Sequence, residues 1–204
     1  MARKKIYLVR HGQTEYNIKG IVQGSSIDSD LNEMGNRQAD AFFNAYQDVD
    51  FDRIVTSKLK RTHQSVRKFI QKDIQWNEHA GFNEISWGVF DGQKIHDDHP
   101  YWGVLKQWNN GEVDLKIESG ESPEDVAKRQ KIAWKQIIDS DIDETILLCM
   151  HGRAMRILLT HLSNRPLHEM DKFGHENLGL YILESNDGKV SVTTANLTEH
   201  LKEV

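Results

Sequence analysis

The sequence predicts an α/β fold. The expected form is a three-layer α/β/α sandwich on a mostly parallel central sheet, with one antiparallel strand at or near an edge and an irregular insertion over the edge that carries the chemistry. Three observations predict it. Short apolar runs alternate with stretches of helical periodicity, the pattern of a parallel sheet covered on both faces. The chain closes with two apolar segments, Leu178 to Leu183 and Val190 to Thr193, around Ser185-Asn186-Asp187-Gly188, whose Asp-Gly pair predicts a hairpin. Between about 76 and 119 the periodicity lapses, and glycines, Pro100 and most of the tryptophans collect there.

In chain order, Lys5-Ile6-Tyr7-Leu8-Val9 reads as a buried strand that stops at Arg10-His11-Gly12. A polar loop from Gln13 to Asp30 follows, long for a βα connection. Asn32 caps a helix whose inward stripe is Ala39, Phe42, Phe43 and Tyr46. Phe51 to Ser57 is a second strand and its exit. Lys58 to about Lys72 reads as one helix with Val66, Phe69 and Ile70 inward. The irregular stretch contains one short helix near Trp102 to Trp108, and its tryptophans either pack or wall a pocket. Ser122-Pro123-Glu124-Asp125 is a capping signal for a helix that buries Val126, Ala133, Ile137 and Ile138. Thr145 to Met150 is a fully apolar strand running into His151-Gly152-Arg153 and a further helix through Met155, Ile157, Leu158 and Leu162.

The 204 residues suit one domain, spanning 1–204 with the insertion or lid at about 76–119. No apolar run approaches the ~20 residues of a membrane span, and the run behind the basic start is too short for a signal peptide. A net charge of −5 argues against a nucleic-acid partner. The one cysteine, Cys149, allows no internal disulfide, sits in an apolar run as a packing residue, and fits a cytoplasmic protein. A homodimer is compatible with the sequence.

The chemistry lies in a device that occurs twice. Lys5 to Gly12 and Ile146 to Gly152 both read apolar strand, then His-Gly, then a turn or helix. In a parallel sheet both histidines reach the same carboxyl edge, and if the strands are neighbours the imidazoles face one pocket. The helix start after Gly152 offers N–H groups to an anion. Arg61, just after the second strand, comes to the same edge. Two arginines with two histidines make a site for a dianion, since the guanidinium fork donates paired hydrogen bonds to phosphate. Glu84, between apolar residues, is the candidate proton donor, and Asp91 is the alternative.

Arg10-His11-Gly12-Gln13-Thr14-Glu15-Tyr16-Asn17 resembles the RHGETxxN signature of the histidine phosphatase superfamily, in its phosphoglycerate mutase-like branch. Further stretches resemble that family in the same order: Gln23-Gly24 with Asp30-Leu31, Gly35 and Gln38-Ala39; Ser57 to Ser65; Phe82-Asn83-Glu84-Ile85 with Gly88 and Gly92; Gly120-Glu121-Ser122 with Asp125-Val126 and Arg129; and His151-Gly152. Together they cover roughly residues 5 to 185. The resemblance implies a phosphomonoester hydrolase acting on a small phosphorylated metabolite, with no metal and no cofactor. It makes His11 the nucleophile, carried through a phosphohistidine. Arg10, Arg61 and His151 bind the transferring phosphoryl group, Asn17, Gln23, Gly24 and Gly152 complete its cradle, and Glu84 is the acid and then the base.

Two departures matter. Phe90-Asp91-Gly92 stands where the family often has Trp-Glu-Gly. The Trp-Arg-Arg element with which phosphoglycerate mutases grip a substrate carboxylate has only Trp108-Asn109-Asn110 as its counterpart, so both arginines are missing. That favours a phosphatase over a mutase, with Lys94 or Lys106 as the available substitutes. Two other readings are a phospho-ligand binding module without activity, which would need a broken site, and a metal bound at His96-Asp97-Asp98-His99, which would need a tight loop.

Overall fold

The computed structural model describes residues 2–139, 144–186 and 188–204. β1 (Lys4–Arg10) is buried on both faces. Ile6 and Leu8 enter one core, and Tyr7 and Val9 enter the other, as the two-residue period of a strand requires. After it, the stretch read as a long polar loop contains a short helix, α1 (Glu15–Lys19). Thr14 and Asn17 close it with a reciprocal capping box, and Gly20 ends it in the left-handed region at φ 61°. Five residues are too few to display a helical period, so its caps are its only sequence signal.

α2 (Glu33–Tyr46) starts at Asn32, whose side chain accepts the Gly35 N–H at 2.8 Å. β2 (Arg53–Thr56) leads to α3 (Lys60–Ser65) and α4 (Arg67–Ile70), which replace the single helix expected over 58–72. The break falls at Val66 (φ −120°, ψ 17°). The Ser65 hydroxyl there donates back to the Arg61 carbonyl at 2.6 Å and accepts the Gly12 N–H at 2.8 Å, a back-bonding that bends helices. β3 (Gln75–Glu78) is a strand where the sequence suggested the start of an irregular insertion. All four of its residues are exposed, so no alternation marks it. The irregular stretch therefore begins after residue 78.

α5 (Pro100–Asn109) starts two residues earlier than expected, capped by His99 with Pro100 in its first turn. α6 (Pro123–Ile138) has the Ser122–Asp125 capping box read from the sequence. β4 (Glu144–Met150), α7 (Gly152–Leu162), β5 (Leu180–Asn186) and β6 (Lys189–Leu197) complete the chain. Asp187, half of the predicted Asp-Gly turn, lies outside the described residues. The ladder pairs Asn186 with Lys189 around it.

The sheet order is β3-β2-β4-β1-β5-β6. β1, β2, β3 and β4 are parallel, and β5 runs antiparallel to both neighbours, one place in from the edge. One core, built with α6 and α7, covers Ile6, Leu8, Val55, Ile146 and Leu148. The other places Phe42, Val66 and Phe69 against Tyr7, Val9, Ile54, Leu147 and Cys149. The three layers are thus as the sequence predicts. Among the described residues, no helix is long and apolar enough to cross a membrane.

Candidate active site

The parallel register of β1 and β4 pairs Arg10 with Met150, so both His-Gly pairs emerge side by side at the carboxyl edge. The His11 N–H extends the ladder to the Met150 carbonyl at 2.9 Å. The two imidazoles stand 5.2 Å apart between centroids. Gly12 lets the chain turn hard against α2: a Cβ there would sit 2.8 Å from the Gly35 carbonyl oxygen.

His11 Nδ1 lies 2.7 Å from the Gly12 carbonyl. A carbonyl only accepts, so Nδ1 carries the proton and the Nε2 lone pair is left for chemistry. Burial, followed by the Arg61 and Arg10 guanidiniums, holds the ring well below the ordinary histidine range, so it is neutral at physiological pH. His151 is fixed in the opposite sense. Its Nδ1 accepts from Arg61 Nε at 3.2 Å, which leaves the proton on Nε2, 2.7 Å from Ser57 Oγ. Ser57 Oγ also accepts the Leu59 N–H and lies 3.1 Å from Thr62 Oγ1, which in turn donates to the Leu59 carbonyl. Burial first, then Arg61, keep His151 neutral too.

Arg61 is fully buried and bonds the Ile27 and Gly24 carbonyls through its two Nη atoms at 2.6 and 3.5 Å. Arg10 donates to the His175 carbonyl at 2.7 Å, and its buried Nε has no partner among the described residues. Burial lowers both arginines to about 10, so they remain cations at neutral pH. An unpartnered buried N–H on a cation is a donor waiting for an acceptor.

Glu84 does not hang free. Its Oε1 accepts the Ile85 and Ala154 N–H groups at 2.9 and 2.8 Å, and Oε2 accepts the Arg153 N–H at 3.1 Å. The anion that the sequence places at the start of α7 is thus the chain's own carboxylate. The segment carrying it is clamped from behind: Arg129 donates to the Gly81 and Glu84 carbonyls, and Glu121, paired with Arg129, accepts the Ser86 N–H. Asp91, the alternative acid, is occupied with Gly24 N–H at 2.7 Å and Ser26 Oγ at 2.5 Å.

A cleft of about 150 Å³ brings Arg10, His11, Asn17, Gln23, Glu84 and Gly152 together. Asn17 caps α1 and accepts from Asn177, which also donates to the His11 carbonyl at 2.9 Å. Gln23 accepts from Ser29. At Gly152 a Cβ would lie 3.3 Å from Arg10 Nε, so the glycine gives the guanidinium its place. Three candidates stand behind the cleft rather than in its wall. Arg61 and His151 form the buried layer beneath His11, and the Gly24 N–H is turned to Asp91.

Of the aromatic residues offered as a pocket wall, only Trp87 lines the cleft. Trp108 is fully buried, and Trp102 is 48% exposed. Lys94 and Lys106 are exposed and do not line it. His99 is committed to capping α5 and to Gln93, and no three His, Cys, Asp or Glu side chains among the described residues are grouped to hold a metal. Sequence reasoning missed Arg153, His175 and Tyr101 in the wall. Arg153 carried a readable signal, a cation in the first turn of a helix directly after the second His-Gly. His175 carried none.

Two strand-borne histidines, two buried arginines and a carboxylate thus meet at one edge of the sheet. Residues 6–198 match the histidine phosphatase superfamily (branch 1), and the chain belongs to it. Phosphoserine phosphatase 1 of Hydrogenobacter thermophilus is 25% identical over 98% of this chain and 95% of its own length. The probable phosphoglycerate mutase GpmB of Yersinia pestis is 29% identical over 86% of this chain and 82% of its own. The solved structure of an Entamoeba histolytica phosphoserine phosphatase with 3-phosphoglyceric acid superposes with a TM-score of 0.84 at 25% identity, covering 97% of this chain and 99% of that one.

Proposed function

We propose that the protein, read as a single domain over its whole length, is a phosphomonoester hydrolase that works through a phosphohistidine on His11. The observation that carries this reading is the fixed tautomer of His11, a neutral ring whose Nε2 lone pair is free beside Arg10 and Glu84. In the first half-reaction Nε2 forms a bond to phosphorus as the ester oxygen leaves, and Glu84 gives that oxygen a proton. Oε2 accepts only one N–H, which leaves it a lone pair to carry the proton. In the second, Glu84 takes a proton from water, the water oxygen attacks phosphorus, and the P–N bond breaks to give inorganic phosphate.

Charge on the transferring group is spread over its equatorial oxygens, so preset cations and donors are the main source of rate. Arg10 Nε–H supplies one donor. Arg61, by exchanging the Ile27 and Gly24 carbonyls for phosphoryl oxygen, supplies more, and His151 follows it through their shared hydrogen bond. Asn17, Gln23 and Gly152 close the cradle.

The Yersinia relative supports a second reading, a phosphoglycerate mutase-type phosphotransferase. One comparison separates the two: phosphate release from nitrophenyl phosphate and small phosphomonoesters, measured beside conversion of 3- to 2-phosphoglycerate. Release without isomerisation is expected. Isomerisation that outruns release would make it a mutase, and activity on no phosphomonoester would leave a binding module.

A further inference from the structure

α7 opens Gly152-Arg153-Ala154, with Arg153 in its first turn. A cation there opposes the positive end of the helix dipole. Arg153 is also only 7% exposed, so its charge is largely withdrawn from water. The guanidinium's one hydrogen-bond acceptor among the described residues is Asp171, reached by Nη1. The same Asp171 oxygen takes Nη1 of Arg156 at 2.7 Å, and the other partner of Arg156 is the neutral Phe173 carbonyl. Two guanidiniums therefore share one carboxylate. Glu84 bonds neither guanidinium: its oxygens accept the Ile85, Arg153 and Ala154 N–H groups.

The arrangement is held in place. The Arg153 guanidinium lies 5.9 Å from the centre of the Trp87 ring, and both residues line the cleft with Arg10 and His175. His175 reports the field there: burial, then Arg10, Arg156 and Arg153, push its imidazole down to about 3. A buried, half-compensated cation at a helix start is a standing cost to the fold, and an anion delivered by the ligand relieves it.

We infer that Arg153, aimed by Asp171 and Trp87, is a subsite for a second anionic group on the substrate, so that the enzyme takes phosphomonoesters that also carry a carboxylate. The planar guanidinium suits that group, and Arg153 fills the role that Lys94 and Lys106, outside the cleft, do not. The inference rests on the phosphomonoesterase reading and narrows its substrate class.

The test is calorimetric binding of a matched pair, 3-phosphoglycerate and glycerol 3-phosphate, which differ in carboxylate against hydroxymethyl. The wild-type protein should bind the carboxylate at least ~10-fold more tightly. Arg153→Gln should abolish that ratio, and Arg153→Lys, which keeps the charge, should retain part of it. Equal affinities in the wild type, or a preference that survives Arg153→Gln, overturns the subsite. If Arg153→Gln does not fold, the wild-type ratio and Arg153→Lys decide. Nitrophenyl phosphate, which has no second charge, is assayed alongside: no hydrolysis by the wild type refutes the phosphatase reading, whereas hydrolysis with no carboxylate preference refutes the subsite alone.

Discussion

Lowering the pH from 7 to 5 should destabilise this protein well before its paired carboxylates are protonated, because histidines are buried in it as neutral rings. His11 and His151 are held well below the ordinary value, His200 is lowered, His161 is held at about 4 and His175 at about 3, with burial the first cause in each. The unfolded chain protonates each of them near 6.5. Between that value and the depressed folded value, the unfolded state holds the extra proton. Stability is therefore complete above about 6.5 and drains as the pH falls toward the folded value. One such histidine removes ~1.4 kcal/mol per pH unit in that window. His161 and His175, whose folded values lie below 5, should each remove ~2 kcal/mol at pH 5, a large share of the ~5–15 kcal/mol that holds a typical domain together. His161 makes the cleanest probe: its buried Nε2 has no partner among the described residues, and Lys131 is the charge that acts on it. Urea unfolding at pH 7, 6, 5.5 and 5 measures the slope, and His161→Gln should flatten it by about one proton's share. A wild-type stability that changes by less than ~1 kcal/mol over this range would refute the reasoning, and with it the neutral His11.

Glu84→Gln should slow alkyl phosphate esters far more than nitrophenyl phosphate, whose leaving group departs without a proton; equal losses on both would move the acid role elsewhere. Ser57→Ala removes the oxygen that lies 2.7 Å from His151 Nε2 and accepts the Leu59 N–H. It should lower stability by ~1–3 kcal/mol and kcat/KM by ~10-fold or more as the imidazole loses its fixed tautomer; wild-type melting and kinetics would contradict that account.

What was legible in the sequence was what strand periodicity and local caps announce. β1 and β4 are buried on both faces, so they read as unbroken apolar runs, and the His-Gly pair after each marks the sheet edge. That the two strands are neighbours is a long-range fact, and only the β1–β4 register supplies it. β3 escaped because a wholly exposed edge strand has no inward face to alternate. The break at Val66 escaped because its cause, the Ser65 bond to Gly12 N–H, joins residues far apart in the chain. The same limit applies to the site. Arg10, His11 and Glu84 could be named one at a time, but the capping of α7 by Glu84 and the withdrawal of Gly24 N–H to Asp91 depend on tertiary contacts. Arg153 was missed although its place in the first turn of α7 could be read from the sequence, and its half-share of Asp171 could not.

The central claim is that His11 Nε2 takes the phosphoryl group. The most direct measurement is rapid quenching of the enzyme with a ³²P-labelled phosphomonoester, followed by acid and alkali treatment of the labelled protein and mapping of the labelled peptide. The account predicts a label that is lost in acid, survives alkali, maps to His11 and is absent from His11→Ala. A label that persists in His11→Ala, or that maps to another residue, would contradict it.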